Sequence, residues 1–370
     1  MTESLPSYQG IKVNLITGFL GAGKTTLIKH LLTQIPKGER WAVLVNEFGE
    51  IGLDQTLLET SLTSGKYKAL SEQVAIKQVA GGCVCCVTSA AFQVALNALI
   101  KAQNPDRIII EPTGLGHPRN ILKQLNGPHY QDVLDIEPSV CLLDARNLDD
   151  EKYTLHPNFI EQVAMADILV ASKSETYQTN DWQAFERYLE ALEPAKTRVE
   201  KIANGQLSLS QISLDQAESA LHTILDKSEI SLEHSQHNHS HHDHDHDHDH
   251  KSHSEKKTLS NLDAHNQEDF YLKVSDDGLN MAWVFPQTAA FDQALLETVL
   301  EKLNGMENIL RMKGVFNLAS GALLLNATQR DFSLYANEKK QTESKLELIL
   351  SADSEELNQD QIQSWVLSLL

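Results

Sequence analysis

Cysteine is scarce in this chain: four among 370 residues, three of them packed into Cys83-Val84-Cys85-Cys86. So few thiols exclude a disulfide scaffold and favour a reducing compartment, which makes a cytoplasmic location the expectation. Basic residues are also short, with 31 Lys and Arg against 51 Asp and Glu and a formal charge of −20. No basic patch offsets that charge, which argues against nucleic acid and against an anionic membrane as partners. No apolar run approaches the roughly 20 residues that a spanning helix needs. The opening MTESLPSYQG has no charged n-region and no apolar h-region, so a secretory signal is not expected. Internal repeats are not evident.

What is present begins at Gly18-Phe19-Leu20-Gly21-Ala22-Gly23-Lys24-Thr25, which spells G-x-x-x-x-G-K-T. Ile11 to Ile16 reads as a short buried strand before it, and Thr25 to Leu32 as a helix with Leu27, Ile28, Leu31 and Leu32 on one face. Strand, glycine loop and helix in that order are the setting a phosphate-binding loop requires. Gly18, Gly21 and Gly23 let the backbone curl so that its N–H groups, with Gly21, Ala22 and Gly23 as expected nucleotide contacts, face a phosphate chain, and the helix N-terminus adds to that field. Lys24 is placed to reach the β- and γ-phosphates, and the Thr25 hydroxyl to take a position on Mg²⁺. A glycine-rich turn with a chance lysine is the bland alternative, and the flanking strand and helix disfavour it.

At 370 residues the chain is too long for one typical domain. From residue 11 to about 226, short apolar runs alternate with amphipathic ones: Trp41 to Val45, Ser89 to Lys101, Arg107 to Ile110, Val140 to Leu143, Ile168 to Ala171, then a helix carrying Trp182, Phe185 and Leu189. On the Ser89 to Lys101 helix, Val94, Ala95, Ala98 and Leu99 are expected to share a face. Such alternation predicts an α/β fold, a P-loop NTPase domain over residues 1–226 with a mainly parallel sheet covered on both faces. Ligands of these sheets gather at the carboxyl ends of the strands. Residues 227–267 are almost all Ser, His, Asp, Glu, Lys and Asn, a composition that cannot bury a core, and read as a disordered linker. Residues 268–370 recover apolar content and predict a small C-terminal α+β domain. Its strands are expected at Phe270–Val274, Ala282–Phe285, Val315–Leu318, Ala322–Leu325 and Leu346–Leu350, around a helix at Thr288–Leu303, with a last helix near Ser354 to Leu369.

Further motifs fall just after predicted strands. Glu111-Pro112-Thr113-Gly114 follows the RIII run. There a carboxylate at Glu111 can hold a Mg²⁺-bound water or orient the attacking one, and Gly114 lets a backbone N–H approach the γ-phosphate. With Lys24 these form the expected catalytic set. Glu47 and Glu50, in Asn46-Glu47-Phe48-Gly49-Glu50, offer two carboxylates to Mg²⁺ or to a metal cargo. Ser172-Lys173-Ser174-Glu175 stands in the slot of the guanine-reading N-K-x-D motif. The Lys173 stem would cover the base and Glu175 would accept from its N–H groups, with Ser172 in place of Asn. Ala203-Asn204-Gly205 is a further candidate contact to the base.

Two segments suit borderline or soft metals. Cys83, Cys85 and Cys86 can present two or three thiolates to one ion, a donor set that favours Zn²⁺ or Cu(I) over Mg²⁺ or Ca²⁺. Ten of the sixteen histidines lie between residues 234 and 253, with His and Asp alternating from His242 through His244, His246 and His248 to His250. In an extended chain alternate residues share a side, so these imidazoles could bind metal together. Cys141, alone in its strand, reads as a small buried apolar residue.

With TGFLGAGKTT, NEFGE, GGCVCC and EPTG in that order, and R-M-K-G at Arg311–Gly314, the chain resembles the CobW-like family of P-loop GTPases. The resemblance covers about residues 10 to 350, and GGCVCC is its most specific part. It implies a GTPase domain, a small C-terminal domain, and metal delivery driven by GTP hydrolysis. Members with His-rich linkers are associated with zinc supply, others with cobalt or iron. It further implies that Gly23, Lys24, Thr25 and Thr26 bind GTP and Mg²⁺, and that Cys83, Cys85 and Cys86 bind the cargo Zn²⁺ for a client metalloprotein. A cobalt or iron inserter, a non-catalytic zinc buffer regulated by nucleotide and an ATP-dependent kinase are the alternatives; homo-oligomer formation is left open. No arginine finger is evident, so slow turnover without a partner is expected.

Overall fold

Eight parallel strands form the N-terminal sheet of this computed structural model. Their spatial order is β3 (Val74–Gln78), β2 (Trp41–Val45), β4 (Arg107–Glu111), β1 (Ile11–Gly18), β6 (Val140–Leu143), β7 (Ile168–Ala171) and β8 (Arg198–Lys201), with β5 (Leu134–Ile136) also paired to β1. The structure describes residues 8–45, 73–79, 90–114, 117–196, 198–214, 269–275, 278–338, 340–351 and 359–370. Both faces of the sheet are covered, which is why its central strands read as unbroken apolar runs. In β4, Ile109 joins Leu27, Leu31 and Val43 on one side. Its neighbours Ile108 and Ile110 join Phe92, Leu96 and Leu99 on the other. All three isoleucines are fully buried, so truncating any one to alanine would cost about 2–5 kcal/mol.

The helix after β3 runs from Ala90 to Gln103 and buries Phe92, Ala95, Leu96, Leu99 and Ile100. Val94 does not share that face: it is 67% exposed. Phe92, the largest side chain of the turn, sets the buried stripe, and the 3.6-residue period then carries Val94 to the solvent side. Short or half-buried elements escape pattern reading, among them β3, β5 and the helix Pro157–Met165, which starts at a proline after His156.

The C-terminal sheet is antiparallel, in the order β13 (Phe332–Asn337), β12 (Gly321–Thr328), β11 (Ile309–Leu318), β14 (Ser344–Leu350), β10 (Gly278–Phe285) and β9 (Asp269–Ser275). The strands do not surround a helix. Two helices, Gln293–Asn304 and Gln359–Leu367, pack on one face over Met281, Trp283, Met312, Phe316, Leu346 and Leu348. The first of them begins five residues later than its apolar pattern suggests, because the Asp292 carboxylate accepts from Leu295 N at 2.9 Å and caps it there. The other face of this sheet turns toward the N-terminal domain, where Ile349 shares an apolar cluster with Phe19 and Leu20. Among the described residues no helix is long and apolar enough to cross a membrane.

Candidate nucleotide site

The loop between β1 and the helix Lys24–Leu32 is held in shape by its own backbone and by two neighbouring strands. Ala22 N donates to Phe19 O at 3.1 Å, and the Ala22 carbonyl accepts from Ser172 Oγ at 2.7 Å. Gly23 caps the helix with φ +93°, a conformation that costs glycine little. Lys24 is buried and folds back so that Nζ donates to Gly18 O at 2.7 Å. Burial lowers its pKa to about 7, with Arg311 and Lys313 pushing the same way and Glu111 opposing. Such an ammonium is poised for an anion that would restore its charge.

Thr25 Oγ1 donates to Glu111 Oε1 at 3.2 Å, so the loop hydroxyl and the carboxylate at the end of β4 meet. Burial raises the Glu111 pKa, against the attraction of Lys24 and Arg311 and the Thr25 hydrogen bond. Its second oxygen, Oε2, is buried and has no hydrogen-bond partner among the described residues. An oriented hydroxyl, a buried carboxylate and an orphaned acceptor together fit a hydrated Mg²⁺. Gly114 closes against the loop: a Cβ there would stand 2.6 Å from Leu20 Cδ2 and 2.9 Å from Leu20 N. Only glycine permits that approach.

At the carboxyl end of β7, Ser172 Oγ also reaches Leu143 O at 3.0 Å, so this hydroxyl ties β6 and β7 to the phosphate loop. Glu175 Oε2 accepts from Asn204 N at 3.0 Å, which brings the two candidate base-reading segments together. Lys173, with φ +57°, extends past Gly23 to a side chain that the sequence reading did not single out. Its Nζ donates to Asp331 Oδ2 at 2.5 Å and lies 3.6 Å from Asp144 Oδ2. Arg146 binds both carboxylates, at 2.5 Å to Asp144 and 3.1 Å to Asp331. Burial alone would raise the Asp331 pKa, but hydrogen bonds from Lys173 and Arg146 outweigh it and hold the carboxyl below its ordinary value. Asp144 follows β6 directly, a strand-end position that could have flagged it. Asp331 sits in a turn of the other domain, and no local pattern marks it.

The C-terminal sheet therefore stands over the phosphate loop. Gly21, Gly23, Lys24, Thr25, Thr26, Glu111 and Lys173 face Arg311, Asn326, Thr328 and Asp331 across a cavity of about 90 Å³. Ligand pockets run to about 300–1,000 Å³, so this one is small for a nucleotide. Gly21 touches the far wall: a Cβ there would lie 2.6 Å from Thr328 Cγ2. The candidate metal residues Glu47, Glu50, Cys83, Cys85, Cys86 and His242 to His250 lie outside the described residues.

A parallel sheet whose first strand runs into such a loop, with Thr25 and Glu111 converging beside it, defines a P-loop nucleotide-binding protein. Residues 12–200 match the CobW/HypB/UreG nucleotide-binding domain, and residues 281–367 the cobalamin synthesis protein CobW C-terminal domain. The zinc chaperone YeiR of Escherichia coli K12 is 34% identical over 347 residues, 93% of this chain and 94% of that one. The zinc chaperone CobW of Pseudomonas aeruginosa is 29% identical over 57% of this chain and 62% of its own length. The zinc chaperone YjiA of E. coli K12 is 33% identical over 45% and 50%. The chain belongs to the CobW family of P-loop GTPases.

Proposed function

We propose that this protein is a GTP-hydrolysing metallochaperone that holds Zn²⁺ on Cys83, Cys85 and Cys86 and passes it to a client metalloprotein. The observation that carries the nucleotide half is the meeting of Lys24, Thr25 and Glu111 at the end of β1 and β4. The zinc half rests on the thiolate chemistry of C-x-C-C and on relatives described as zinc chaperones along most of this chain. Lys24 neutralises the phosphates, and Thr25 and Glu111 would hold a Mg²⁺ that would supply further charge neutralisation. Ser172, Lys173 and Glu175, with Asn204, select guanine. Gly114, packed on Leu20, couples loss of the γ-phosphate to movement of the segment that follows β4. That movement loosens the cargo so that the client can take it. Phosphate release by the purified chain, with GTP or ATP and with or without Zn²⁺, tests this reading. GTP turnover that responds to zinc supports it; a chain that binds GTP and zinc but releases no phosphate is a nucleotide-regulated buffer instead.

A further inference from the structure

Strand β11 alternates its side chains between two very different surroundings. Met312 and Phe316 enter the apolar core under the two C-terminal helices. Arg311 and Lys313 take the opposite face, where register pairs them with Thr328 and Asn326 of β12. This is the face that covers the phosphate loop, and Arg311 lines the cavity with Lys24, Thr25, Thr26 and Glu111. The Arg311 charge is felt at both Lys24, which it pushes toward neutrality, and Glu111, which it attracts. The lining thus gathers Lys24, Lys173 and Arg311 against the carboxylates of Glu111 and Asp331. Asp331 is already engaged by Lys173 and Arg146. Ile349 and Val315 use other parts of this face for apolar packing, whereas the part turned onto the phosphate loop carries Arg311, Asn326, Thr328 and Asp331. Its charge suits an anion between the two walls.

We propose that Arg311 is a catalytic residue of the GTPase, an arginine supplied in cis by the C-terminal domain to the γ-phosphoryl group. The proposal rests on the GTP-hydrolysing reading above. The C-terminal domain draws back to admit the triphosphate, then returns so that the Arg311 guanidinium meets the phosphate oxygens opposite Lys24. During hydrolysis the oxygen of water bonds to the γ-phosphorus as the bond from that phosphorus to the bridging oxygen breaks. The electron pair of the broken bond stays on the β-phosphate of GDP, and the proton from water leaves with inorganic phosphate. A guanidinium keeps its charge at any working pH, and its planar fork can donate to two oxygens at once. It therefore stabilises charge that grows in the transition state, a role worth about 10³–10⁵ in rate where an arginine finger is present. Hydrolysis then reports the position of the C-terminal domain, and no partner is required to bring the arginine.

Full-length Arg311→Ala and Arg311→Lys test this beside the parent chain. Arg311→Ala is expected to lower kcat for GTP by roughly 10³-fold, while GDP affinity and melting temperature stay at the parent values. It should also lose the tight complex that the parent forms with GDP and aluminium fluoride, which imitates the transferred phosphoryl group. Arg311→Lys keeps a charge without the fork and should recover only part of the rate, and free guanidinium should partly rescue Arg311→Ala. A variant with a raised KM and an unchanged kcat would assign Arg311 to ground-state binding and overturn the proposal. So would a parent-like fluoroaluminate complex in Arg311→Ala. Should Arg311→Ala fail to fold, Arg311→Lys at the parent kcat overturns it as well. A parent chain without turnover would instead remove the hydrolytic reading on which the proposal stands.

Discussion

Lys24 carries a penalty in the nucleotide-free protein that its ligand would remove. Burial, Arg311 and Lys313 lower its pKa to about 7, and among the described residues its Nζ donates to the Gly18 carbonyl. The charged side chain therefore adds little to the fold, and its use is the triphosphate. Lys24→Ala is expected to lose GTP hydrolysis by at least a hundredfold while its melting temperature stays at or above the parent value. Phosphate release at the parent rate from that variant would refute the assignment of the phosphate loop. Glu175 is a second residue whose partners define its use. It already accepts from Asn204 N, so a guanine edge would have to share or replace that bond. Glu175→Ala should raise KM for GTP and narrow the preference for GTP over ATP, and an unchanged preference would mean the base is read elsewhere.

At the level of elements, the contact between the two sheets is the feature with the clearest consequence. Lys173 follows β7 and would lie along a bound base, yet it is held by Asp331 from the turn between β12 and β13. Arg146, after β6, clamps the same carboxylate. A nucleotide must displace these bonds, so the apparent affinity is lowered by the fraction of molecules that are closed. Asp331→Ala should speed association of a fluorescent GTP analogue, and added salt should bring the parent toward the variant. Equal association rates in stopped-flow would show that the clamp does not limit access. None of this was legible locally. The central strands were, because β2, β4, β6 and β7 are buried on both faces and leave continuous apolar runs, and β1 is interrupted between Ile11 and Ile16 only by Lys12 and Asn14. The phosphate loop was legible because its backbone conformation demands glycines at fixed spacing. Edge strands such as β8 and β13 bury one side weakly and lose the signal. Arg311 could be seen in R-M-K-G, but its place opposite Lys24 depends on how the two sheets meet, about 290 positions apart in sequence.

Across the whole molecule, what separates a metallochaperone from a buffer is whether nucleotide and zinc sense one another. Cys83 to Cys86 lies in sequence between β3 and the helix Ala90–Gln103, and β3 pairs with β2, which in turn pairs with β4 and Glu111. In sequence the cysteines thus follow a strand, β3, that is two strand pairings from the strand carrying the carboxylate that meets Thr25. If the γ-phosphate and the cargo share that framework, GTP must change zinc affinity, and by linkage zinc must change GTP affinity by the same factor. A coupling of about 1–3 kcal/mol corresponds to roughly a 5- to 150-fold shift, well within reach of a competition titration against a chelating dye. Zinc is expected to bind more tightly with a non-hydrolysable GTP analogue and Mg²⁺ than with GDP, because a γ-phosphate would add a contact to the segment after β4, whose Gly114 packs on the phosphate loop. The double change Cys85→Ser and Cys86→Ser should abolish the difference, since serine keeps the size and gives up the thiolate. Zinc bound by the His-Asp tract should be indifferent to nucleotide, as residues 234–253 carry too little apolar surface to join either core. Equal zinc affinities in the two nucleotide states would uncouple the sites and leave a buffer with a GTPase attached.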